Sequence, residues 1–120
     1  MSGMIKVKVS ELTGAALDYA VEIAIHDISP TAKHAFAWQY QNEERKDYSS
    51  NWSHGGPLIE KHDVCLAIVQ GQWYAAFDPG YKLSEWDDAG SGDTPLLAAC
   101  RAIVTEKLGE TIQLPSRLLS

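Results

Sequence analysis

Hydrophobic and polar positions predict a strand followed by a long helix at the start of the chain. Residues 5–9 alternate as Ile-Lys-Val-Lys-Val, the period-two pattern of a short half-buried strand. Ser10 is the predicted N-cap of a helix that ends before Ser29-Pro30, because the residue before a proline disfavours the α region. Helical spacing gives this helix an apolar stripe that includes Leu12, Ala16, Ala20 and Ile23, and an outer face that carries Glu11, Asp18 and Glu22.

The middle of the chain predicts an antiparallel meander. Gly55-Gly56-Pro57 is a strong turn signal, after which strands are predicted at 58–60, 64–69 and 73–77. Their connectors are short, with a tight turn at 70–72, so we expect the strands to pair antiparallel. The strand at 64–69 is apolar on both faces, which predicts a central strand covered on both sides.

A second helix and a last edge strand complete the pattern. Residues 78–92 are predicted to form an exposed loop because they contain two glycine-rich turn signals. Thr94 as N-cap and Pro95 at the first helical position begin a helix that Gly109 ends. Residues 111–114 alternate as an edge strand. Together the elements predict an α+β fold for a single domain over residues 1–120, an antiparallel sheet of about four to five strands with two principal helices packed on it.

Composition and charge narrow the classes of function. The 120-residue chain is 45% hydrophobic and carries a net charge of −6, which argues against a nucleic-acid binder with its basic stripe. No apolar run reaches the roughly 18 residues of a membrane span, and the N-terminus lacks the apolar region of a signal peptide. Cys65 and Cys100 lie in apolar surroundings and are predicted to be buried thiols. We therefore expect a soluble, cytoplasmic protein with no nucleic-acid or membrane partner.

No local pattern predicts a metal site or a catalytic nucleophile. The four histidines lack the spacing of metal-ligand pairs (His26, His34, His54 and His62). The segment His54-Gly55-Gly56 superficially resembles an esterase oxyanion loop, but no G-x-S-x-G motif accompanies it. We expect no metal, no cofactor and no catalytic residues. The alternative, a hydrolase with an unrecognised site, would use His54 with Asp93 or Asp63.

Two features are candidates for recognition of a ligand or partner. Residues 90–95 form a glycine-rich stretch that leads into a helix N-terminus, where free N–H groups attract anions, although the Asp93 carboxylate opposes that role. Tryptophans fall in the irregular stretches, where they either plug the ends of a small core or line a recognition surface (Trp38, Trp52 and Trp86). Arg101 is a further candidate, with an exposed helix arginine as the ordinary explanation.

Three blocks resemble one small family of phage and prophage proteins. Residues 10–21 read SELTGAALDYAV. Residues 48–60, YSSNWSHGGPLIE, are similar to a Y-S-x-x-W-x-x-G-G-P-[IL]-I-E pattern, and residues 93–101, DTPLLAACR, are similar to T-P-L-x-A-x-x-R. In this order the blocks resemble the NinX-like proteins of unknown function. They are also similar to the phage ABA sandwich domain, in which a sheet lies between helices.

The resemblance implies a phage or prophage accessory protein that acts in the bacterial cytoplasm with an ABA-sandwich-like fold. It implies no reaction, so we expect a non-catalytic protein that binds a host or phage protein and modulates a host process. The alternatives are a binder of a small, nucleotide-like anion and, less favoured, a virion or assembly component; homo-oligomerisation stays open. The candidate binding residues are Tyr48, Ser49, Trp52, His54, Gly55, Gly56, Asp93, Thr94 and Arg101. Our hypothesis is that Tyr48, Ser49 and Trp52 form one polar-aromatic pocket beside Thr94.

Overall fold

A computed structural model describes residues 4–25, 47–77 and 90–115. The elements in chain order are β1 (Met4–Lys8), a 3-10 helix (Val9–Glu11), α1 (Gly14–Ile25), α2 (Trp52–Lys61), β2 (Cys65–Val69), β3 (Gln72–Ala76), β4 (Ser91–Gly92), α3 (Pro95–Leu108) and β5 (Thr111–Pro115). Some predictions fall outside the described residues: the helix end before Pro30, most of the loop 78–92, and His26, His34, Trp38 and Trp86.

The predicted α+β class is confirmed, and the described strands divide between two antiparallel sheets. The first sheet pairs β1 with β5, and the second has the order β2-β3-β4. In the first sheet Val7 lies opposite Ile112 and Ile5 opposite Leu114, so one face is apolar, while Lys6 and Lys8 lie on the other. Both sheets contribute to one core, because side chains of the first sheet and Ala75 of the second belong to the same buried cluster.

The order of the second sheet corrects one prediction. The predicted hairpin forms through a tight turn in which Gln70 and Gly71 both have positive φ. Among the described strands, however, β2 lies at the edge and β3 in the middle, because β4 pairs with β3 on its other side. Within the described residues, the prediction that the strand at 64–69 is central is therefore wrong. The missing neighbour is a two-residue strand, Ser91–Gly92, which is too short to carry a periodic pattern.

The helix α3 lies at the centre of the fold. It packs against α1, α2, the 3-10 helix and strands of both sheets. Its predicted ends are confirmed: the Oγ1 of Thr94 accepts a hydrogen bond from the N–H of Leu97 at 3.1 Å, and Gly109 follows the last turn with φ of 99°. Most of its buried residues are small, which lets neighbouring backbones approach closely (Leu96, Ala98, Ala99, Cys100, Ala102, Ile103 and Val104).

The first helix begins later than the sequence predicts and is buried on more sides. Ser10 belongs to the 3-10 helix, and α1 starts only at Gly14, so the prediction that Ser10 is its N-cap was wrong. Asp18 was assigned to the outer face, but its side chain is only 3% exposed. Packing of α1 against α3 and against the turn at 47–51 leaves Asp18 inside the fold.

A third helix, α2, replaces the turn and strand predicted at 55–60. The Oδ1 of Asn51 caps it by accepting the N–H of Ser53 at 2.8 Å. Pro57 lies inside the helix and has no N–H to donate to the carbonyl of Ser53. Ser53 is an exposed residue. The prediction failed because Gly55, a turn signal in the sequence, is buried in a helical packing contact.

Candidate functional site

The structure brings together the two polar-aromatic blocks. Gly55 lies so close to its surroundings that an added Cβ would stand 2.1 Å from the carbonyl oxygen of Tyr48 and 2.8 Å from the Cδ2 of Leu96. Leu96 is the second residue of α3, so the block at 48–57 packs on the start of that helix. The contact is made by a glycine, a backbone carbonyl and a leucine. A ligand pocket at this place stays a prediction.

Tyr48 and Ser49 are buried and attach their turn to α1. The hydroxyl of Tyr48 donates to the Oε1 of Glu22 at 2.6 Å, and the N–H of Ser49 donates to the Oδ1 of Asp18 at 2.8 Å. Burial raises the pKa of Tyr48 well above its ordinary value, and the hydrogen bond to Glu22 adds to the rise. Tyr48 is therefore a protonated donor at neutral pH.

His54 closes the same turn from the other side. Its Nδ1 accepts a hydrogen bond from the N–H of Asp47 at 2.9 Å, so the ring proton of the neutral form lies on Nε2. The backbone N–H of His54 bonds in turn to the carbonyl of Asn51. Within the described ranges, His54 forms no hydrogen bond or ion pair with Asp63 or Asp93. Its role in the structure is to shape the start of α2.

Arg101 connects α3 to two distant segments. Its Nε and Nη2 donate to the carbonyl oxygen of Leu12 at 3.1 and 2.9 Å, and its Nη1 donates to the carbonyl oxygen of Ser91 at 2.8 Å. The expectation of an exposed helix arginine was therefore wrong. Burial lowers the pKa of Arg101, while the charge of Asp93 opposes that change. The planar guanidinium suits this role because its donors point in several fixed directions.

The remaining candidates lie at helix starts and differ in exposure. Asp93 and Thr94 are exposed, and Thr94 uses its hydroxyl to cap α3. A Cβ on Gly56 would stand 3.3 Å from the Cε3 of Trp52. Trp52, in the first turn of α2, is 56% exposed and is one of three large hydrophobic side chains that stand out among the described residues.

Sequence reasoning missed the burial of the acid Asp18 on α1. Cys100 is 1% exposed, and burial together with the charge of Asp18 raises the pKa of its thiol to about 12. The prediction of a buried thiol is confirmed for Cys100, whereas Cys65 is only half-buried, so the prediction was wrong there. The signal for Asp18 was present in the sequence, since Leu17, Tyr19 and Ala20 surround it with apolar positions.

Among the described residues, one groove is lined by none of the candidate residues, and no cluster of metal ligands is found. Among the described residues, no three His, Cys, Asp or Glu side chains lie together as a metal site would need. A shallow groove of about 340 Å³ runs between β1, β5 and the end of α3, lined by Lys6, Leu108, Thr111, Ile112 and Gln113. No helix in the described part of the chain combines the length and apolar character of a membrane span.

Comparison with known proteins identifies one family. The family model described as Bacteriophage P22, NinX matches residues 8–107, which include all the candidate residues. No curated protein matches the chain.

Proposed function

Because the chain belongs to the phage NinX family, we propose that this phage-derived protein acts without catalysis, by binding a host protein in the bacterial cytoplasm and modulating a host process. The observation that carries the proposal is Trp52, a tryptophan 56% exposed on a helix that is fixed to the core. Tryptophan is enriched among the residues that dominate protein–protein binding energy.

The polar candidates support binding over catalysis because their hydrogen bonds are used inside the fold. Tyr48, His54 and Thr94 each have an internal partner, and Arg101 donates to two backbone carbonyls. A general base or nucleophile needs a group that can reach a substrate. Trp52, in contrast, is 56% exposed and offers a large apolar surface.

The position of Trp52 favours a preformed contact. The N-cap at Asn51 and the bond from Asp47 to His54 hold the first turn of α2, and Gly55 packs that helix on α3. A rigid anchor loses little conformational entropy when a partner covers it.

Site-specific photo-crosslinking in the bacterial host tests the proposal. A photoreactive residue at position 52 is expected to capture one defined host protein, whereas the same residue in place of Ile5, which is 43% exposed, is expected to capture none. With that partner purified, Trp52→Ala should weaken binding by about 30-fold, as for a central tryptophan. Equal capture at both positions, or unchanged affinity of Trp52→Ala, would contradict the proposal.

The alternatives predict different results. An anion-binding protein would give an adduct of metabolite size in native mass spectrometry, although the cap at Thr94 and the carbonyl partners of Arg101 disfavour an anion there. A hydrolase that uses His54 would lose its activity in His54→Ala. A virion component would assemble into large particles with no need for a host protein.

A further inference from the structure

The strand edges of the two sheets differ in how they are protected. Natural edge strands avoid association with other chains by carrying charges, prolines or bulges. In the first sheet β1 carries Lys6 and Lys8, and β5 ends at Pro115, which has no N–H to donate. Both strands of this sheet therefore carry a device that discourages an added strand.

The outer edge of β2 carries no such device. Its sequence, Cys-Leu-Ala-Ile-Val, has no charge and no proline, and its register with β3 is unbroken from Cys65 to Val69. In the described part of the chain, β3 is its only strand neighbour. Ile68 is 54% exposed at this edge. An uncharged, regular edge with an exposed isoleucine is the kind of surface that another strand covers.

We propose that the occupant of this edge is β2 of a second copy of the chain, paired antiparallel about a two-fold axis at Ala67. The pairing joins the two three-stranded sheets into a continuous sheet of six strands. It places Leu66 of each copy opposite Ile68 of the other on the same face. The most exposed apolar side chain of the strand thereby gains an apolar cross-strand neighbour.

Charge placement favours a second copy as the occupant. The edge is its own complement because its five residues are uncharged, and the nearest charged neighbour along the chain is Asp63, before the strand. In the two-fold arrangement each Asp63 lies beyond the strand end near Gly71 of the other copy, so no like charges face each other. The turn at Gln70-Gly71 leads the chain back into β3, away from the outer edge.

The length of the edge sets the strength of the association. A five-residue strand buries less surface than the roughly 1,200 Å² of a stable interface, so the dimer is expected to be weak and concentration-dependent. The dimer is expected to persist at high salt, because its contacts are backbone hydrogen bonds and apolar side chains. Salt also screens the repulsion between the two copies, each of which carries a net charge of −6.

Sedimentation velocity over a range from about 1 to about 200 μM tests the proposal, with a dimer expected at the upper end. Ile68→Lys should shift the association at least tenfold to higher concentration, because it places two ammonium groups in the paired edge. Ile5→Lys is the matched control, because Ile5 is an isoleucine of similar exposure, 43% against 54%, on a strand of the other sheet, and the change should leave the dimer unchanged.

A thiol at the two-fold axis gives a second readout that does not depend on Ile68. Ala67→Cys in the Cys65→Ser background should form a disulfide-linked dimer under mild oxidation, since the two introduced thiols face each other and Cys100 is buried. The proposal is overturned by a monomer over the whole range, by a dimer that Ile68→Lys leaves intact, or by the absence of that disulfide. Photo-crosslinking from position 52 in the Ile68→Lys variant tests host binding without the dimer, so the two proposals can fail separately.

Discussion

Two glycine-rich segments contact the central helix in different ways. In the segment at 47–61, Gly55 lies against the carbonyl of Tyr48 and the side chain of Leu96. In the segment at 90–97, a Cβ on Gly90 would stand 2.6 Å from both the carbonyl oxygen of Ala98 and the nitrogen of Ala102. Both glycines resemble turn signals in the sequence. The difference is that the three atoms nearest to a Cβ on Gly90 are all backbone of α3, whereas those nearest to a Cβ on Gly55 belong to the side chain of Leu96 and the backbone of Tyr48.

The comparison shows how a glycine can be required for reasons other than a turn. Close approach to a helix backbone leaves no room to adjust, because the hydrogen bonds of the helix fix its atoms. The end of a flexible side chain can shift at lower cost. Within each segment, the glycine that meets backbone should therefore tolerate an added methyl group less well than the glycine that meets a side chain, which the following predictions test.

The largest effect is expected from Gly90→Ala. The added methyl group clashes with α3 and displaces Gly90, whose carbonyl accepts the N–H of Ala75 at 2.9 Å, so we expect a loss of about 3 kcal/mol in unfolding free energy. Urea denaturation measures this loss. Gly92→Ala is the comparison, because its Cβ would meet the side chain of Leu97 and should cost less. Equal losses of unfolding free energy in the two variants would mean that the helix backbone shifts as readily as a side chain.

The second effect comes from Arg101→Gln, which breaks the link between Ser91 and Leu12. Two backbone carbonyls lose a charged donor, so we expect a loss of about 2 kcal/mol. Arg101→Lys should recover only part of it, because one ammonium cannot reproduce the planar fork. Glu106→Gln, on an exposed position of the same helix, should change stability by less than about 0.5 kcal/mol. If Arg101→Gln is as stable as the parent, the hydrogen bonds of Arg101 to Leu12 and Ser91 do not stabilise the fold.

Gly55→Ala should also destabilise the protein, because its Cβ would overlap the backbone carbonyl of Tyr48. We expect a net loss of about 2 kcal/mol, because overpacking of about 3 kcal/mol is offset in part by about 1 kcal/mol of helix propensity. Gly56→Ala meets only the exposed Trp52 ring, at 3.3 Å, so it should stabilise the protein by up to about 1 kcal/mol. Thermal unfolding of both variants measures the contrast. A higher stability of Gly55→Ala would show that the turn at Tyr48 shifts to make room for the added methyl group.

The smallest effect concerns the ends of the two helices, where His62 meets Lys107. Burial, and then the charges of Lys107 and Lys61, lower the pKa of His62 below its ordinary value of 6.5. The unfolded chain then binds more protons, so this contribution to stability is complete above pH 6.5 and is lost as the pH falls through the folded pKa.

Denaturation curves at several pH values test this dependence. His62→Gln should lose less stability than the parent between pH 7 and about pH 5. Lys107→Gln should also reduce the loss of stability at low pH, because it removes one of the charges that lower the pKa of His62. A parent and a His62→Gln variant with the same pH profile would show that another group causes the dependence.

The sequence predicted the elements that local patterns define. Strand β1, the hairpin of β2 and β3, and both ends of α3 follow from alternation, a tight turn and caps within a few residues. Helix α2 could not be predicted in this way, because its Gly-Gly-Pro signals favour a turn and the contact that holds it comes from Leu96. Tertiary packing overrides local propensity at such a place.

For the candidate site, the sequence predicted which residues lie near one another better than what they do. The segment holding Tyr48, His54 and Gly55 does meet the start of α3. The roles of Arg101 and Asp18 depend on partners far away in the chain, a carbonyl at Leu12 and an N–H at Ser49. No spacing rule within one element reports such partners.

The pairing of β1 with β5 has a consequence for how the chain folds during synthesis. Met4 pairs with Pro115 and Lys8 with Thr111, so the first described strand has its partner in the last. While the ribosome makes the residues between them, the apolar face of β1 with Ile5 and Val7 lacks the strand that completes its sheet. Contacts between such distant residues slow folding. The nascent chain therefore carries an unpaired strand until β5 leaves the exit tunnel, and the first sheet cannot close before then.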